Sequence, residues 1–431
     1  MKIAILLGSA HVGGGTYVIF QHALFLARAG WDVTIVGMAP VEKGQLDWHP
    51  EAKAGLVFKT FDDVATESFD IAMATWWRTA YWLHRVKARS YQYFVQSIES
   101  RFFESWDLAA ISYAESTYSL QLPVVTEARW IKGYLAEKFH TQAQLAPNGI
   151  RKDLYAPQGP TIAPRDPSRL RILVEGPLRV FFKNVEKTVE LCKKSRADEI
   201  WLLTSSRDCM EYPGVDRTFS CIPITETPSI YRSCDVIIKL SYVEGMFGPP
   251  LEMFHCGGTA IVYDVTGHDE YICHGENALV LRKDDEEGVI QTINSLKDDP
   301  TLLSRLKRGA LDTSEKWPDW QHSSARFLEA VRDNANLPSE SQVSVRAKSI
   351  VLTEWYEKHL QMQQAHYQLI PQLESARAES TTYAHTLSVI YNSRGFRLIE
   401  RLRSFLPRNI VTGLRKTRLW RRLRSFGVKR G

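Results

Sequence analysis

Short apolar runs recur along this chain, each separated from the next by a stretch with helical spacing, and nothing else restricts the fold as much. Lys2–Leu7, Val33–Val36, Val57–Thr60, Ile71–Thr75, Tyr91–Val95 and Val124–Thr126 read as strands. Between the first two, Val18, His22, Phe25, Leu26 and Ala29 recur at helical spacing until Gly30 stops them. Strands that alternate with helices build βαβ units and a parallel sheet. The alternation breaks after Asn148-Gly149, where Tyr155–Arg171 carries Pro157, Pro160, Pro164 and Pro167. Proline-rich segments of this kind punctuate domains. Alternation then restarts with Arg171–Glu175, Ile200–Thr204, Phe219–Ile222, Val236–Leu240, Ala260–Tyr263 and Ala278–Leu281. The expected class is α/β, with two doubly wound, Rossmann-like domains over residues 1–160 and 168–338. Such domains face a cleft, and a ligand there sits at the carboxyl ends of the strands.

The pattern changes near Pro338. Residues 344–392 hold no glycine and one proline, Pro371, and read as an exposed helix or helix pair. A helical extension is therefore expected over 339–393. Beyond it, residues 394–431 hold thirteen Lys or Arg against one acid, Glu400. The chain's net charge is +5, so the tail carries +12 and the rest −7. The basicity belongs to a tail, not to the folded body. Phe396, Ile399, Leu402 and Leu406, then Leu419, Trp420, Leu423 and Phe426, give that tail an apolar face. Three readings compete: a helix lying on an anionic membrane surface, a helix packed on a protein partner, and a nucleic-acid arm. The first is preferred. No nucleic-acid-binding fold supports the third, so no nucleic-acid partner is expected.

An apolar fraction of 44% and an aromatic fraction of 11% exclude a disordered chain. The cysteines, Cys192, Cys209, Cys221, Cys234, Cys256 and Cys273, form no C-x-x-C pair, which excludes the common zinc motifs and points to free thiols. The N-terminal apolar run is short and ends in glycines, so it reads as a first strand rather than a signal peptide. No run of about 18 apolar residues occurs to span a membrane. The expected location is cytoplasmic, peripheral on the inner face of the membrane.

The stretch from Ser241 to Glu252 carries most of the functional information. A strand runs into the loop Glu244-Gly245-Met246-Phe247-Gly248, and Pro249-Pro250 then open a helix. Proline suits a first helical turn, where its missing N–H is not needed. The unpaired amides of such a turn form an anion site. Glu244 in the loop and Glu252 in the helix flank that site, and a carboxylate accepts hydrogen bonds from vicinal hydroxyls. A ligand with phosphates in the middle and polyols at both ends fits, as a nucleotide sugar does. His255-Cys256-Gly257-Gly258 and the run Thr259–Val262 continue as a helix end, a tight turn and a buried strand.

Residues 236–281 resemble the two-glutamate region of the retaining family 4 glycosyltransferases, which have the GT-B fold. The resemblance covers residues 1–335. It implies that Glu244 contacts the donor sugar and Glu252 the nucleotide ribose, with Gly245, Met246, Phe247 and Gly248 as the donor-binding loop. It also implies a basic pair gripping the donor diphosphate in the segment Glu175–Asn184. Lys183 matches the family lysine. The family arginine sits next to the glycine, where this chain has Pro177, so Arg179 is its displaced counterpart. Fixed cations and a helix N-terminus would stabilise a leaving diphosphate without reorganising. The glycines Gly13, Gly14 and Gly15 would let backbone approach the donor phosphate or the acceptor; otherwise they form an ordinary βα turn. They lack the spacing of a dinucleotide fingerprint, and no acid ends the second strand, so no nicotinamide or flavin cofactor is expected. No D-x-D motif occurs, so no metal is required.

On the acceptor side the family often has a histidine where this chain has Trp76 and Trp77, so no general base carries over. Tyr93–Glu99 and Ala114–Tyr118 are similar to a rhamnosyltransferase subgroup. That similarity implies dTDP-β-L-rhamnose as donor and makes Gln96, Glu99 and Glu115 cleft residues. The resemblance implies a hexosyl transfer to a cell-surface polysaccharide, lipopolysaccharide or other lipid-linked glycan acceptor. The alternatives are a non-catalytic scaffold in glycan assembly and a sugar phosphorylase or epimerase of the same fold.

Overall fold

The computed structural model describes residues 1–401, with Asp208, Met210, Ser339, Phe396, Ile399 and Glu400 and the side chains of Tyr367 and Gln368 left out. The basic tail expected over 394–431 thus falls almost wholly outside the described residues. Two sheets form the body. The first contains β1 (Lys2–Leu7), β2 (Asp32–Gly37), β3 (Val57–Thr60), β4 (Ser68–Ala74), β5 (Lys87–Val95), β6 (Val124–Thr126) and β7 (Ala143–Leu145). Its strands lie in the order β3-β2-β1-β4-β5-β6-β7. The second contains β8 (Arg171–Glu175), β9 (Glu199–Thr204), β10 (Arg217–Ser220), β11 (Val236–Lys239), β12 (Thr259–Tyr263) and β13 (Ala278–Leu281), in the order β10-β9-β8-β11-β12-β13. Each neighbouring pair in either sheet is parallel. The two doubly wound domains expected from the strand–helix alternation are present.

The burial pattern explains why these runs read as continuous apolar segments. In β1, Ile3, Ile5 and Leu7 enter one core while Ala4 and Leu6 enter another. In β12, Ala260 and Val262 face one core and Ile261 and Tyr263 the opposite one. Alternate side chains leave a strand on opposite faces, and helices cover both faces of a parallel sheet. Strand order reverses between β1 and β4 in the first sheet and between β8 and β11 in the second. Those two switch points place the loops after β1, β4, β8 and β11 around one cleft.

The chain passes between the domains twice, at nearly the same place. Ile150 N–H donates to the Pro318 carbonyl at 3.1 Å, and Trp317 Nε1 donates to the Asn148 carbonyl at 2.8 Å. A Cβ on Gly149 would stand 2.5 Å from the Asp319 backbone, so a glycine is needed where the segments touch. After the second crossing, the helix Trp320–Ala335 returns to the first domain. Its Trp320, Phe327, Leu328 and Val331 are buried with Ile3, Ile5 and Phe20. Residues 320–335, within the span read as the second domain, therefore complete the core of the first. One helix, Gln342–Asn392, fills the expected extension. Val345 of that helix is buried beside the first sheet, and Tyr356 stacks on Tyr113 at 4.2 Å. The compact body accordingly runs Met1–Tyr356, and from Glu357 the chain forms a separate unit. Among the described residues, no helix is long and apolar enough to cross a membrane.

Candidate active site

A cavity of about 700 Å³ lies at the carboxyl ends of both sheets. On its second-domain wall, β11 runs into the loop that carries Glu244, and the helix Gly248–His255 follows with prolines in its first turn. Gly245, Met246, Gly248 and Pro249 line the cavity between Glu244 and Glu252. Phe247 does not: it is fully buried in the core beneath, and its carbonyl accepts the Tyr271 hydroxyl. It supports the loop from below, because the turn that aims its neighbours outward sends this side chain inward.

Glu244 is buried, and its Oε2 accepts a hydrogen bond from Lys183 Nζ at 2.8 Å. Its Oε1 lies 3.8 Å from Lys239 Nζ. Burial alone would raise the Glu244 pKa, but the two ammonium groups outweigh it and hold the group below its ordinary value. It is a carboxylate at neutral pH. Glu252 differs. Burial and then the nearby Glu175 carboxylate push it up to about 7, although the Tyr231 and Tyr155 hydroxyls hydrogen-bond to it. Lys183 closes the short turn Phe181–Lys183, and Phe182 of that turn stacks at 4.7 Å on Phe102 from the first domain.

The first-domain wall begins with the loop after β1. Gly13, Gly14, Gly15 and Thr16 line the cavity at the start of the helix Gly14–Arg28. A Cβ on Gly13 or Gly14 would meet nothing within 4 Å, so these glycines leave room rather than relieve a clash. Trp76 lines the cavity over Gly8, where a Cβ would be 2.6 Å from the indole. Gln96 and Glu99 also line it. Glu99 accepts the Trp77 N–H at 2.7 Å and the Tyr93 hydroxyl at 3.2 Å, and burial pushes its carboxyl up to about 8.

Besides Phe247, three candidates from the sequence lie away from the cavity wall. Arg179 is on an exposed turn with φ of 61°, its N–H donating to Glu186. Glu115 is taken up by Lys138 at 2.8 Å, Ser100 at 3.1 Å and Tyr134 at 3.3 Å, outside the cavity lining. The Trp77 ring is buried against Tyr113 and Phe103, so only its amide serves the site, through Glu99.

Sequence reasoning missed three charged residues that line the cavity, Lys239, its partner Glu175, and Glu127. Lys239 ends β11 with its side chain 3% exposed, and its ammonium donates to Glu175 Oε2 at 2.6 Å. Glu127 follows β6 directly. Its Oε1 accepts the Met246 N–H at 3.0 Å, and its Oε2 accepts from Asn148 Nδ2 at 2.9 Å. Burial pushes Glu127 up to about 8, with those two hydrogen bonds opposing and Glu244 adding to the rise. The signal for Lys239 was a charge inside an otherwise apolar strand. For Glu127 it was an acid one residue past a strand end.

Glu127 also joins the two domains at the loop. Beside it, Trp130 Nε1 donates to the Gly245 carbonyl at 2.8 Å. Further along, Arg129 holds Glu270 through both its N–H at 2.7 Å and its guanidinium at 2.9 Å. The loop between Glu244 and Gly248 is thus held from both sides.

Comparison with known proteins agrees with this geometry. The family model described as Glycosyl transferases group 1 matches residues 220–312. The O-antigen biosynthesis protein RfbC of Myxococcus xanthus is 25% identical over 368 residues, which are 79% of this chain and 27% of that protein. The chain spans little more than a quarter of the length of the curated relatives it matches. Sucrose-phosphate synthase from Thermosynechococcus elongatus is similar at a TM-score of 0.62 and 16% identity, over 77% of this chain and 98% of that one. Anabaena HepE in complex with UDP-glucose is similar at a TM-score of 0.62 and 14% identity, over 77% of this chain and 100% of that one. At such identities the likeness to the solved structures is one of fold. The fold of this chain is GT-B, and its second domain carries, over residues 220–312, the pattern of the group 1 glycosyl transferases.

Proposed function

We propose that the chain is a glycosyltransferase that moves a sugar from a nucleotide-sugar donor to a glycan or lipid-linked acceptor of a cell-surface polysaccharide, with retention at the anomeric carbon. One observation carries this reading. Along a single cavity wall stand a carboxylate held by two ammonium groups, a helix N-terminus opened by prolines, and a second carboxyl within the same helix. That order suits sugar, diphosphate and ribose in succession. The helix amides and Lys183 meet the charge that grows on the leaving diphosphate, in a site that need not reorganise. Glu244 stays ionised beside the donor sugar. Burial pushes Glu99 and Glu127 up to about 8, which disfavours their ionised forms. The family resemblance implies a same-face attack in which a donor phosphate oxygen takes the acceptor proton.

The acceptor class draws on the name of the M. xanthus relative, and the donor class on the UDP-glucose complex of the structural neighbour. The rhamnosyl donor rests on the similarity of Tyr93–Glu99 and Ala114–Tyr118 alone. The basic tail would hold the enzyme on the inner membrane face.

The test is a melting-temperature screen of nucleotide sugars, since a donor bound by the native state alone raises the melting temperature. Transfer is then assayed with the donor found. Glu244→Gln should lower turnover at least ~100-fold, the scale of one lost electrostatic contact in a transition state, while melting within a few degrees of the parent. Full turnover in a folded Glu244→Gln variant would overturn the site, and a screen in which no nucleotide sugar shifts melting would overturn the activity.

A further inference from the structure

We propose that Lys239 is the second cation of the donor site and grips the leaving diphosphate together with Lys183. This rests on the nucleotide-sugar reading and adds to it a residue outside the basic pair taken from the sequence. The strand holding Lys239 reads Val236-Ile237-Ile238-Lys239, and all four residues are buried. An ammonium in that position is expensive, because the effective penalty of burying an ion is several kcal/mol. A methionine or leucine would continue the strand without it. The charge is held there by Glu175, at 2.6 Å, and by Glu244, at 3.8 Å.

The position of the ammonium shows what it serves. It crosses from β11 to the turn after β8, ending 3.7 Å from where a Cβ on Gly176 would stand. That turn is where a family arginine would begin, and here Pro177 follows the glycine. Arg179, its displaced counterpart, sits on an exposed turn outside the cavity lining. Lys239 therefore brings a cation, from a different strand, to the place the sequence leaves without one. Lys183 and Lys239 both reach Glu244 within 4 Å, one at each carboxylate oxygen, so their charges face the same part of the cavity. Three carboxyl groups, Glu175, Glu244 and Glu252, line the same wall, and against the cost of burial they hold the Lys239 ammonium charged. Glu175 is the resting counterion of Lys239, in place until a phosphate shares the ammonium.

The competing account is a strut: Lys239 would tie β11 to Glu175 and never meet a ligand. Calorimetry on the full chain with UDP and dTDP, and with uridine and thymidine, separates the two. A strut affects a diphosphate and its nucleoside alike, whereas a phosphate ligand affects the diphosphate alone. Lys239→Met should weaken diphosphate binding roughly 10- to 100-fold, the range for a hydrogen bond to a charged group, and leave nucleoside binding unchanged. Lys239→Arg should restore most of the loss. Glu175→Gln, which frees the ammonium, should hold the diphosphate at least as tightly as the parent. If Lys239→Met does not fold, the double variant Glu175→Gln/Lys239→Met removes both members of the ion pair and takes its place. Equal diphosphate affinity in parent and variant, or a parallel loss of nucleoside and diphosphate, would overturn the role of Lys239 and leave the donor site standing. A parent chain that binds neither diphosphate would overturn both.

Discussion

Glu127 shows how much one side chain does at this cleft. Its carboxyl is pushed from 4.5 up to about 8, so the folded state holds the proton more tightly than the unfolded chain. The stability it contributes is fully present below pH 4.5 and is lost as pH rises through about 8. Glu99 is pushed up to a similar value and adds to the same slope. Glu127→Gln should flatten the fall in urea midpoint between pH 5 and pH 8.5 without abolishing it. The side-chain amide can be accommodated, because Asn148 Oδ1 has no partner and the Asn148 amide can turn to accept from it. An unchanged slope would show that Glu127 is ionised in the folded protein. The placement of Glu244 and Glu252 at the cavity was legible because their loop and helix announce an anion site, and that of Lys183 through its match to the family lysine. Glu127 was not, since its role depends on Met246 of the other domain, 119 positions away. Lys239 was hidden for a different reason: a charge in an apolar strand marks the residue but names no partner, and only the fold sets Glu175 and Glu244 around it.

Among elements, the loop from Leu240 to Phe247 is tightly constrained at Gly245. A Cβ on Gly245 would stand 2.0 Å from the Gln96 carbonyl oxygen and 3.0 Å from Glu127 Oε1. Both belong to the first domain, so the glycine permits the two walls to meet. Gly245→Ala should destabilise the protein by about 1–3 kcal/mol, as overpacking does elsewhere, and should weaken donor binding more than any change beyond the cavity. Urea denaturation and donor titration measure the two effects, and a variant as stable as the parent would show that the walls can separate freely. Most strands were legible because a parallel strand buried on both faces leaves a continuous apolar run. β7 was missed because Ala143–Leu145 is an edge strand with a buried, an exposed and a half-buried residue, and so lacks the apolar run that marked the equally short β6. The helix Trp320–Ala335 was assigned to the second domain only through its position in the chain, and its destination was not legible. An apolar stripe says that a helix packs, not which of two sheets receives it.

For the molecule as a whole, the charge asymmetry makes the clearest prediction. The tail 394–431 carries +12 against −7 for the remainder, and each cation near an anionic surface adds roughly 1 kcal/mol of attraction. Deleting 394–431 should release the protein from anionic vesicles in a sedimentation assay and leave turnover on a soluble acceptor intact; unchanged pelleting would remove the membrane role. The double crossing of the chain sets a mechanical limit on the body itself. Two segments touch at Gly149 and Asp319, and Glu127 stands beside that crossing, bonded to Asn148 at 2.9 Å and to Met246 at 3.0 Å, while Trp130 and Arg129 fasten the walls further along. Parting the walls would cost these hydrogen bonds while both crossings stay joined, so the chain itself is a short tether that limits how far a donor can wedge the cleft open.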